Sequence, residues 1–199
     1  MAPYFETVRS FATVSVSEDG VNVEEFLEAS DGLLKMFDLL GVGVFSFVQA
    51  DIRSNISGVR SVYSTTTDAG KTLEMFVEKE KASGVRGPHG TACLRRLLRA
   101  LLFTSNALQH SRNNPNSELQ ASFRSAYNVV LRHHHGFALR AVVSLALTSC
   151  PRRHEFYSRL SQGEPSEKFS GEFTRWLDGL DTIVSRMVQF YIDHGLERV

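Results

Sequence analysis

The sequence predicts an all-α protein, and three observations carry that prediction. Between the breaks in the chain, apolar residues recur at intervals of three and four, the period of a helix with one buried face. The five prolines (Pro3, Pro88, Pro115, Pro151 and Pro165) all fall at ends or breaks, never inside a periodic segment, where the missing N–H would cost a helical hydrogen bond. Asp-Gly pairs at Asp19, Asp31 and Asp178 are not flanked by the clean alternation that a hairpin needs.

The first helix is predicted near 4–15, after Pro3, with a short strand in "FATVSVSEDG" as the alternative over its second half. Asn22 before "VEEF" can cap the next, near 22–39, because its side-chain oxygen accepts a free first-turn N–H. A helix near 42–63 gathers Val44, Phe47, Val48, Ile52, Ile56, Val59 and Val62 on one side, with Arg53, Ser57 and Arg60 opposite. Asp68 before "AGKTLEMF" opens a helix near 68–82, and Pro88 precedes one near 89–110. "HSRNNPNS" reads as a loop, after which Ser117 before "ELQASF" opens 117–132. Helices near 134–149 and 152–161 flank Pro151, and after the "QGEP" loop comes a long one near 166–194. No internal repeat or low-complexity tract interrupts this series.

The 199 residues suit a single domain over 1–199 with a sizeable core. Lysine plus arginine number 22 and so do aspartate plus glutamate, so no global field attracts nucleic acid or an anionic membrane. Any preference for anions must be local. Cys93 and Cys150 have no metal-binding spacing and lie in or beside apolar helical stretches, as buried reduced thiols do. No signal peptide and no apolar run of about 18–20 residues is evident, so a cytoplasmic protein, at most peripheral on membranes, is expected.

Three polar groups sit on apolar stripes. Asp51 and Asn55 lie on the apolar side of 42–63, in line with Val44, Val48 and Val62. A buried charge needs a partner, either a salt bridge or cap inside the fold, or a ligand. In "ACLRRLLRALLF", Leu94, Leu97, Leu98, Leu101 and Leu102 form one stripe, while Ala92, Arg96, Ala100, Phe103 and Ala107 align on a second side. Arg96 is therefore expected in a tight contact face, where it could answer Asp51, bind a phosphate, or do both; a plain surface arginine cluster is the alternative. In "LRHHHGFALRAVVSLAL", helical phase puts His135 with Leu131, Leu139, Val142 and Ala146, and points His133 and His134 elsewhere. Successive helical side chains diverge by about 100°, so three adjacent histidines do not close on one metal ion. A core histidine donating one hydrogen bond remains the plainer reading of His135.

An acid, an amide, a guanidinium and an imidazole, each on a greasy helix, suit a ligand with a polar head and long apolar tails. No GxSxG elbow, Walker loop or HExxH motif points to catalysis. Each methylene leaving a bilayer needs roughly 0.8 kcal/mol of replacement burial, about 14 kcal/mol for an 18-carbon chain. Fourteen phenylalanines and a helical core that can open would supply it.

The segments "DIRSNISGVRSVY", "LRRLLRAL" and "HHGF…R…V" followed by "SCP" resemble the glycolipid transfer protein family, over about residues 22 to 195. The resemblance implies an all-α two-layer sandwich that carries sphingolipids between membranes without a cofactor or metal, as a monomer touching membranes transiently. It implies that Asp51 and Asn55 hold the head group, that Asp51 also meets the ceramide amide N–H, and that His135 bonds the ceramide carbonyl. Phe45, Val48, Phe103 and Leu131 are expected in the apolar pocket. Phe137 matches a membrane-touching aromatic of the family, with ordinary packing as the alternative. In the glycolipid branch a tryptophan stands at the position of Arg96 and a lysine at that of Gly58; the one tryptophan here is Trp176. The ceramide-1-phosphate branch, with its plant relatives, has an arginine matching Arg96, a second where this chain has Ala92, and a lysine in place of Asn55. Arg99, and with it Arg95, is near enough to compensate. The expected function is thus transfer of a ceramide-based lipid, ceramide-1-phosphate ahead of a neutral glycosphingolipid. A lipid-occupied sensor for a protein partner and an enzyme using Asp51 and His135 are the alternatives.

Overall fold

The computed structural model describes residues 2–40, 45–66, 70–84 and 89–199. Its helices are α1 (Val23–Leu40), α2 (Ser46–Thr65), α3 (Leu73–Ala82), α4 (His89–Asn113), α5 (Leu119–Val130), α6 (Phe137–Thr148), α7 (Arg153–Ser161) and α8 (Ser166–Asp193). The all-α expectation holds, and most helices lie within a few residues of their expected places. Val44, Asp68 and Pro88, which figured in those expectations, fall outside the described residues.

Helix α4 is the hub, packing against α2, α3, α5 and α8. Of its expected stripe, Leu94, Leu97, Leu98 and Leu101 expose nothing and Leu102 is partly buried against the core; Leu108, further along, is also fully covered. Glu80 of α3 sets its start, accepting the Gly90 N–H on Oε1 at 2.9 Å and the Thr91 N–H and hydroxyl on Oε2, each at 2.6 Å. A carboxylate there satisfies orphan donors and faces the positive end of the helix. Ser105, buried on α4, donates to Asp181 of α8 at 2.9 Å.

The chain before α1 departs from expectation. No helix spans 4–15. Single 3₁₀ turns occur at Tyr4–Glu6 and Phe11–Thr13, and Ser10 between them is extended, its Oγ accepting the Ala12 N–H. Tertiary packing overrides the helical period here: Tyr4, Phe5 and Phe11 all turn onto Trp176 of α8, with ring centroids 6.5, 6.1 and 5.3 Å away. The strand alternative for 11–20 is partly realised, and the hairpin that the flanks of Asp19-Gly20 argued against does form. β1 (Val16–Ser17) pairs antiparallel with β2 (Gly20–Val21). Distant partners hold this hairpin in place of flanking alternation. Val21 N–H donates to Glu74 Oε2 at 2.9 Å, and Thr72 Oγ1 donates to the Asp19 carbonyl at 3.0 Å.

Two expected caps are replaced and one is kept. Asn22 accepts the Glu25 N–H at 3.0 Å, as its position suggests. Helix α3 is capped by Thr72, which accepts from Met75. At α5 the flanking residue is Glu118, without a side-chain cap, and its carboxylate instead accepts the Arg153 N–H at 3.0 Å. Ser117 is not a cap; its N–H closes a turn on Asn114. The largest change is between α5 and α6. Residues Arg132–His134 form a 3₁₀ turn, His135 is extended at φ −103° and ψ 131°, and α6 starts only at Phe137. Gly136 follows His135 directly and flanks α6 in extended backbone, so one continuous helical phase does not run through the three histidines.

Helix α8 holds two glycines in opposite surroundings. A Cβ at Gly179 would lie 2.4 Å from Ala12 N and 2.7 Å from Phe11 C, both backbone, whereas one at Gly171 would meet only a flexible arginine tip at 3.9 Å. Gly171→Ala should therefore stabilise by up to about 1 kcal/mol through helix propensity. Gly179→Ala should destabilise by about 2 kcal/mol through overpacking, lowering Tm by roughly 4–8 °C. Thermal melts of both variants check this, and equal shifts would mean that the N-terminal segment does not seat on α8.

Candidate functional site

An apolar cavity of about 330 Å³ opens where α2, α4, α5 and α6 meet. Its walls include Phe45, Val48, Phe103 and Leu131, as expected, together with Phe123, Val143 and Leu147. Phe103 and Phe123 meet edge to face with centroids 5.6 Å apart. Its polar residues are Asp51, Arg96, Arg99, His134, His135 and the Tyr127 hydroxyl. Among the described residues no three His, Cys, Asp or Glu side chains gather as a metal site. Both cysteines are free thiols, pushed up by burial, Cys150 to about 11.

Asp51 is not in the core. It lines the cavity but is exposed, and among the described residues no cation lies within salt-bridge distance of its carboxylate. An internal salt bridge is therefore not the reason for its place on the apolar side. The wheel puts Asp51 and Asn55 in line, but one turn separates them along α2, and that turn crosses from the covered interior to the open end. Asn55, the inner of the two, is buried and donates to the Asp51 carbonyl at 2.8 Å. It does not line the cavity.

The arginines divide in an unexpected way. Arg96, expected in a tight contact face, lines the cavity and is exposed. The second side of α4 is covered only toward its C-terminal half, at Phe103 and Ala107. Arg95 and Arg99 are the covered ones, with side chains 16% and 15% exposed. Arg95 pairs with Glu197, and Arg99 donates to the Arg198 carbonyl at 2.6 Å and lies 3.9 Å from the Glu197 carboxylate. Glu197 and Arg198 were not legible as site residues, because they lie about a hundred positions from their partners.

His135 reaches the cavity, though not by helical phase. It is half-buried, and its Nδ1 lies 3.2 Å from the Tyr127 hydroxyl. Burial chiefly lowers its pKa, with Asp51 working the other way, and burial chiefly raises that of Tyr127. A protonated phenol beside a neutral imidazole lets Tyr127 donate to Nδ1 and leaves Nε2–H as a donor. His134 lines the cavity as well, contrary to expectation, because extended and 3₁₀ backbone turns it there. Tyr127 was the missed partner; a buried tyrosine on the apolar side of a helix is itself a signal, since its hydroxyl needs a bond. Leu139 and Val142 of α6, placed beside His135 by phase, are exposed, and the inward residues are Val143, Ala146 and Leu147. Phe137, at the start of α6, is 90% exposed.

A family model described as glycolipid transfer protein matches residues 21–162. The chain belongs to the glycolipid transfer protein family. It is 34% identical over 188 residues to a glycolipid transfer protein of Aureobasidium melanogenum, covering 94% of this chain and 92% of that one. Its fold matches HET-C2, a fungal glycolipid transfer protein, with a TM-score of 0.87 and 32% identity, over 95% and 96% of the two chains. It also matches human ceramide-1-phosphate transfer protein in complex with 12:0 ceramide-1-phosphate, with a TM-score of 0.86 over 100% of both chains. That likeness, at 20% identity, concerns the fold alone. The all-α two-layer sandwich is thus the architecture, and the family is one of lipid transfer proteins.

One family position is closed to this member. A Cβ at Gly58 would sit 2.4 Å from Cys93 Sγ, so the lysine of the glycolipid branch does not fit without repacking α2 against α4. Gly58→Lys, attractive on helix propensity alone, is therefore expected to destabilise.

The shifted histidine has a pH consequence. A native His135 pKa below the ordinary value of about 6.5 means that the unfolded chain binds more protons in the window between the two. The stability contributed by neutral His135 is present in full above about pH 6.5 and is lost as pH falls through the native pKa. Wild-type Tm should fall between pH 7 and 5.5, and more steeply than that of His135→Gln. Parallel profiles would show that burial does not bias this imidazole.

Proposed function

We propose that this protein moves a ceramide-based lipid with an anionic head, ceramide-1-phosphate, between membranes. The observation that supports this best is the charge at the cavity mouth. Arg96 and Arg99 line a largely apolar cavity, with Arg95 beside them within two turns of α4, in a chain with no net charge. Arginine offers a planar fork that matches phosphate oxygens. The tryptophan that a sugar would stack on in the glycolipid branch is absent from position 96, and Trp176 is fully buried against Tyr4, Phe5 and Phe11.

Asp51, exposed at the mouth, accepts the ceramide amide N–H, and His135 Nε2–H donates to the ceramide carbonyl. Both groups then face inward because the lipid is their partner. Asn55 supports Asp51 through its backbone carbonyl. The cavity volume lies at the low end for small-molecule sites, so two long chains require it to widen. Helix α6 is the element suited to move: only Val143, Ala146 and Leu147 of it are buried, while Phe137, Val142 and Leu145 are exposed. Phe137, beside the exposed Arg132 and Arg140, is placed to touch a membrane at the moment of exchange. No helix among the described residues is long and apolar enough to cross one.

Two observations favour a second reading, a neutral glycosphingolipid. The 34% identical relative from Aureobasidium melanogenum and the fungal HET-C2 are named glycolipid transfer proteins, and Arg95 and Arg99 are already engaged by Glu197 and Arg198. An unpaired Asp51 carboxylate also accepts sugar hydroxyls well. Vesicle-to-vesicle transfer of labelled ceramide-1-phosphate and galactosylceramide decides between the two, and exchange of neither would favour a sensor. Arg96→Trp should cut ceramide-1-phosphate transfer at least tenfold. Tenfold is about 1.4 kcal/mol, less than the roughly 2–5 kcal/mol that losing one partner of a desolvated charge pair costs. Transfer of the sugar lipid alone by wild type would overturn the anionic assignment.

Asp51→Val should abolish transfer of either lipid while leaving stability within about 0.5 kcal/mol, since the side chain is exposed. A variant that melts normally and still transfers would remove Asp51 from the site.

A further inference from the structure

The residues after α8 turn back over the helix that carries the arginines. Gly195 takes φ 62°, a left-handed conformation open to glycine, and Leu196 N–H donates to the Tyr191 carbonyl at 2.9 Å. Leu196 and Val199 pack, partly buried, against the core. This path lays Glu197 between Arg95 and Arg99. The seating is lopsided. The two arginine side chains are largely covered, and the Nε of each is buried without an acceptor among the described residues. The carboxylate that serves them is 72% exposed.

We propose that Glu197 is a displaceable stand-in for the anionic head group: it holds Arg95 and Arg99 beside the cavity, and a phosphate monoester arriving at the mouth takes the two guanidinium groups and frees residues 197–199. The inference rests on the anionic reading above and adds the residue that competes with the head group for its arginines. Three arginines within two turns repel one another and need a counter-anion. Burial, then Arg95, lowers the Arg99 pKa, with Arg96 adding to this and Glu197 opposing it. Other titratable groups face this cluster: burial, then Arg99 and more weakly Arg95, lowers the His134 pKa, while Arg95 opposes the rise that burial gives Tyr191 and Arg96 opposes the rise that burial gives Cys93. A carboxylate so exposed is weakly held. A phosphate monoester brings up to twice its charge and three acceptor oxygens, enough for paired bonds to both guanidinium groups. Arg99 already lines the cavity, so a side-chain rotation suffices to present it. A neutral sugar brings no charge with which to displace the acid. Glu197 therefore competes with an anionic head for the pair: only a strongly charged head displaces it, and removing its charge strengthens the hold on a phosphate without helping a neutral sugar.

The test uses the full chain and Glu197→Gln, which keeps the size and removes the charge at an exposed position where folding is not at risk. Transfer of ceramide-1-phosphate and galactosylceramide from phosphatidylcholine vesicles is measured for both proteins. Heteronuclear ¹H–¹⁵N NOEs of residues 197–199 are recorded empty and loaded with each lipid. The expected result is at least a threefold rise in the ratio of ceramide-1-phosphate to galactosylceramide transfer in the variant. In wild type, the tail should become mobile with ceramide-1-phosphate and stay ordered with galactosylceramide. If both proteins move ceramide-1-phosphate with the same ratio and the tail stays rigid, Glu197 is only a surface contact and the proposal is overturned while the anionic reading stands. If neither protein moves ceramide-1-phosphate, the anionic reading itself fails and the tail proposal falls with it.

Discussion

Burial of helix α4 is the constraint from which the rest of the arrangement follows. Leu94, Leu97, Leu98 and Leu101 are fully covered, and α2, α3, α5 and α8 supply the cover. Fully burying a leucine is worth about 1.5–3 kcal/mol, so these four outweigh any single polar contact in the molecule. Glu80 then fixes where the helix starts by taking two of its free N–H groups. With the leucine face and the start both set, Arg95, Arg96 and Arg99 have only the remaining sector of the first turns. That sector brings Arg96 and Arg99 to the cavity, with Arg95 beside them under Glu197. Their place is a consequence of core packing, and their partners, whether a tail carboxylate or a ligand, must come to them.

The two ends of the molecule differ in how they are held. Around Trp176, the rings of Tyr4, Phe5, Phe11, Phe169 and Phe173 contact one another at 5.0 to 6.5 Å in tilted, stacked and edge-on pairs, and Gly179 lets the N-terminal backbone settle on α8. Interlocked rings of this kind have few alternative packings. At the cavity, α6 rests on three inward residues and leaves several large apolar side chains in water. Regions with little buried contact open at low free-energy cost. A lipid carrier needs both properties: a part that keeps its shape when empty and a part that yields when two chains arrive.

Features that depend on local chemistry were legible in the sequence. The leucine stripe of α4 and the cap at Asn22 are read from spacing and side-chain type, and they appear as expected. The apolar lining was legible for the same reason, since Phe45, Val48, Phe103 and Leu131 lie on helical faces or at their ends. Features decided by distant partners were not. The 16–21 hairpin depends on Glu74 and Thr72, more than fifty residues away. His135 was assigned inward by a helical phase that the chain does not have there, and it reaches the cavity on extended backbone. The wheel also reports direction but not depth, which is why Asp51 was assigned to the core when only Asn55, one turn on, is buried.

The polar groups of the cavity are arranged by sign as well as by place. Arg96 and Arg99 come from α4, Asp51 from α2, and the neutral pair Tyr127 and His135 from α5 and the turn after it. The three sources are separate elements, so a molecule that touches all of them ties α2, α4 and α5 together at the end where α6 is loosest. A ceramide has the matching sequence of groups: a head, then an amide N–H, then a carbonyl, then the chains. In the proposed function each additional contact depends on the others being in register, and a ligand lacking the amide would not satisfy Asp51 and His135 together. Asp51 and Arg96 are exposed at the mouth, and a ligand seated there would exchange their water for bonds whose strength grows as the mouth dries. In the proposed function, selection by the head and retention by the chains are therefore one coupled event, the hydrophobic gain of the tails stabilising polar contacts that would be weak in open water.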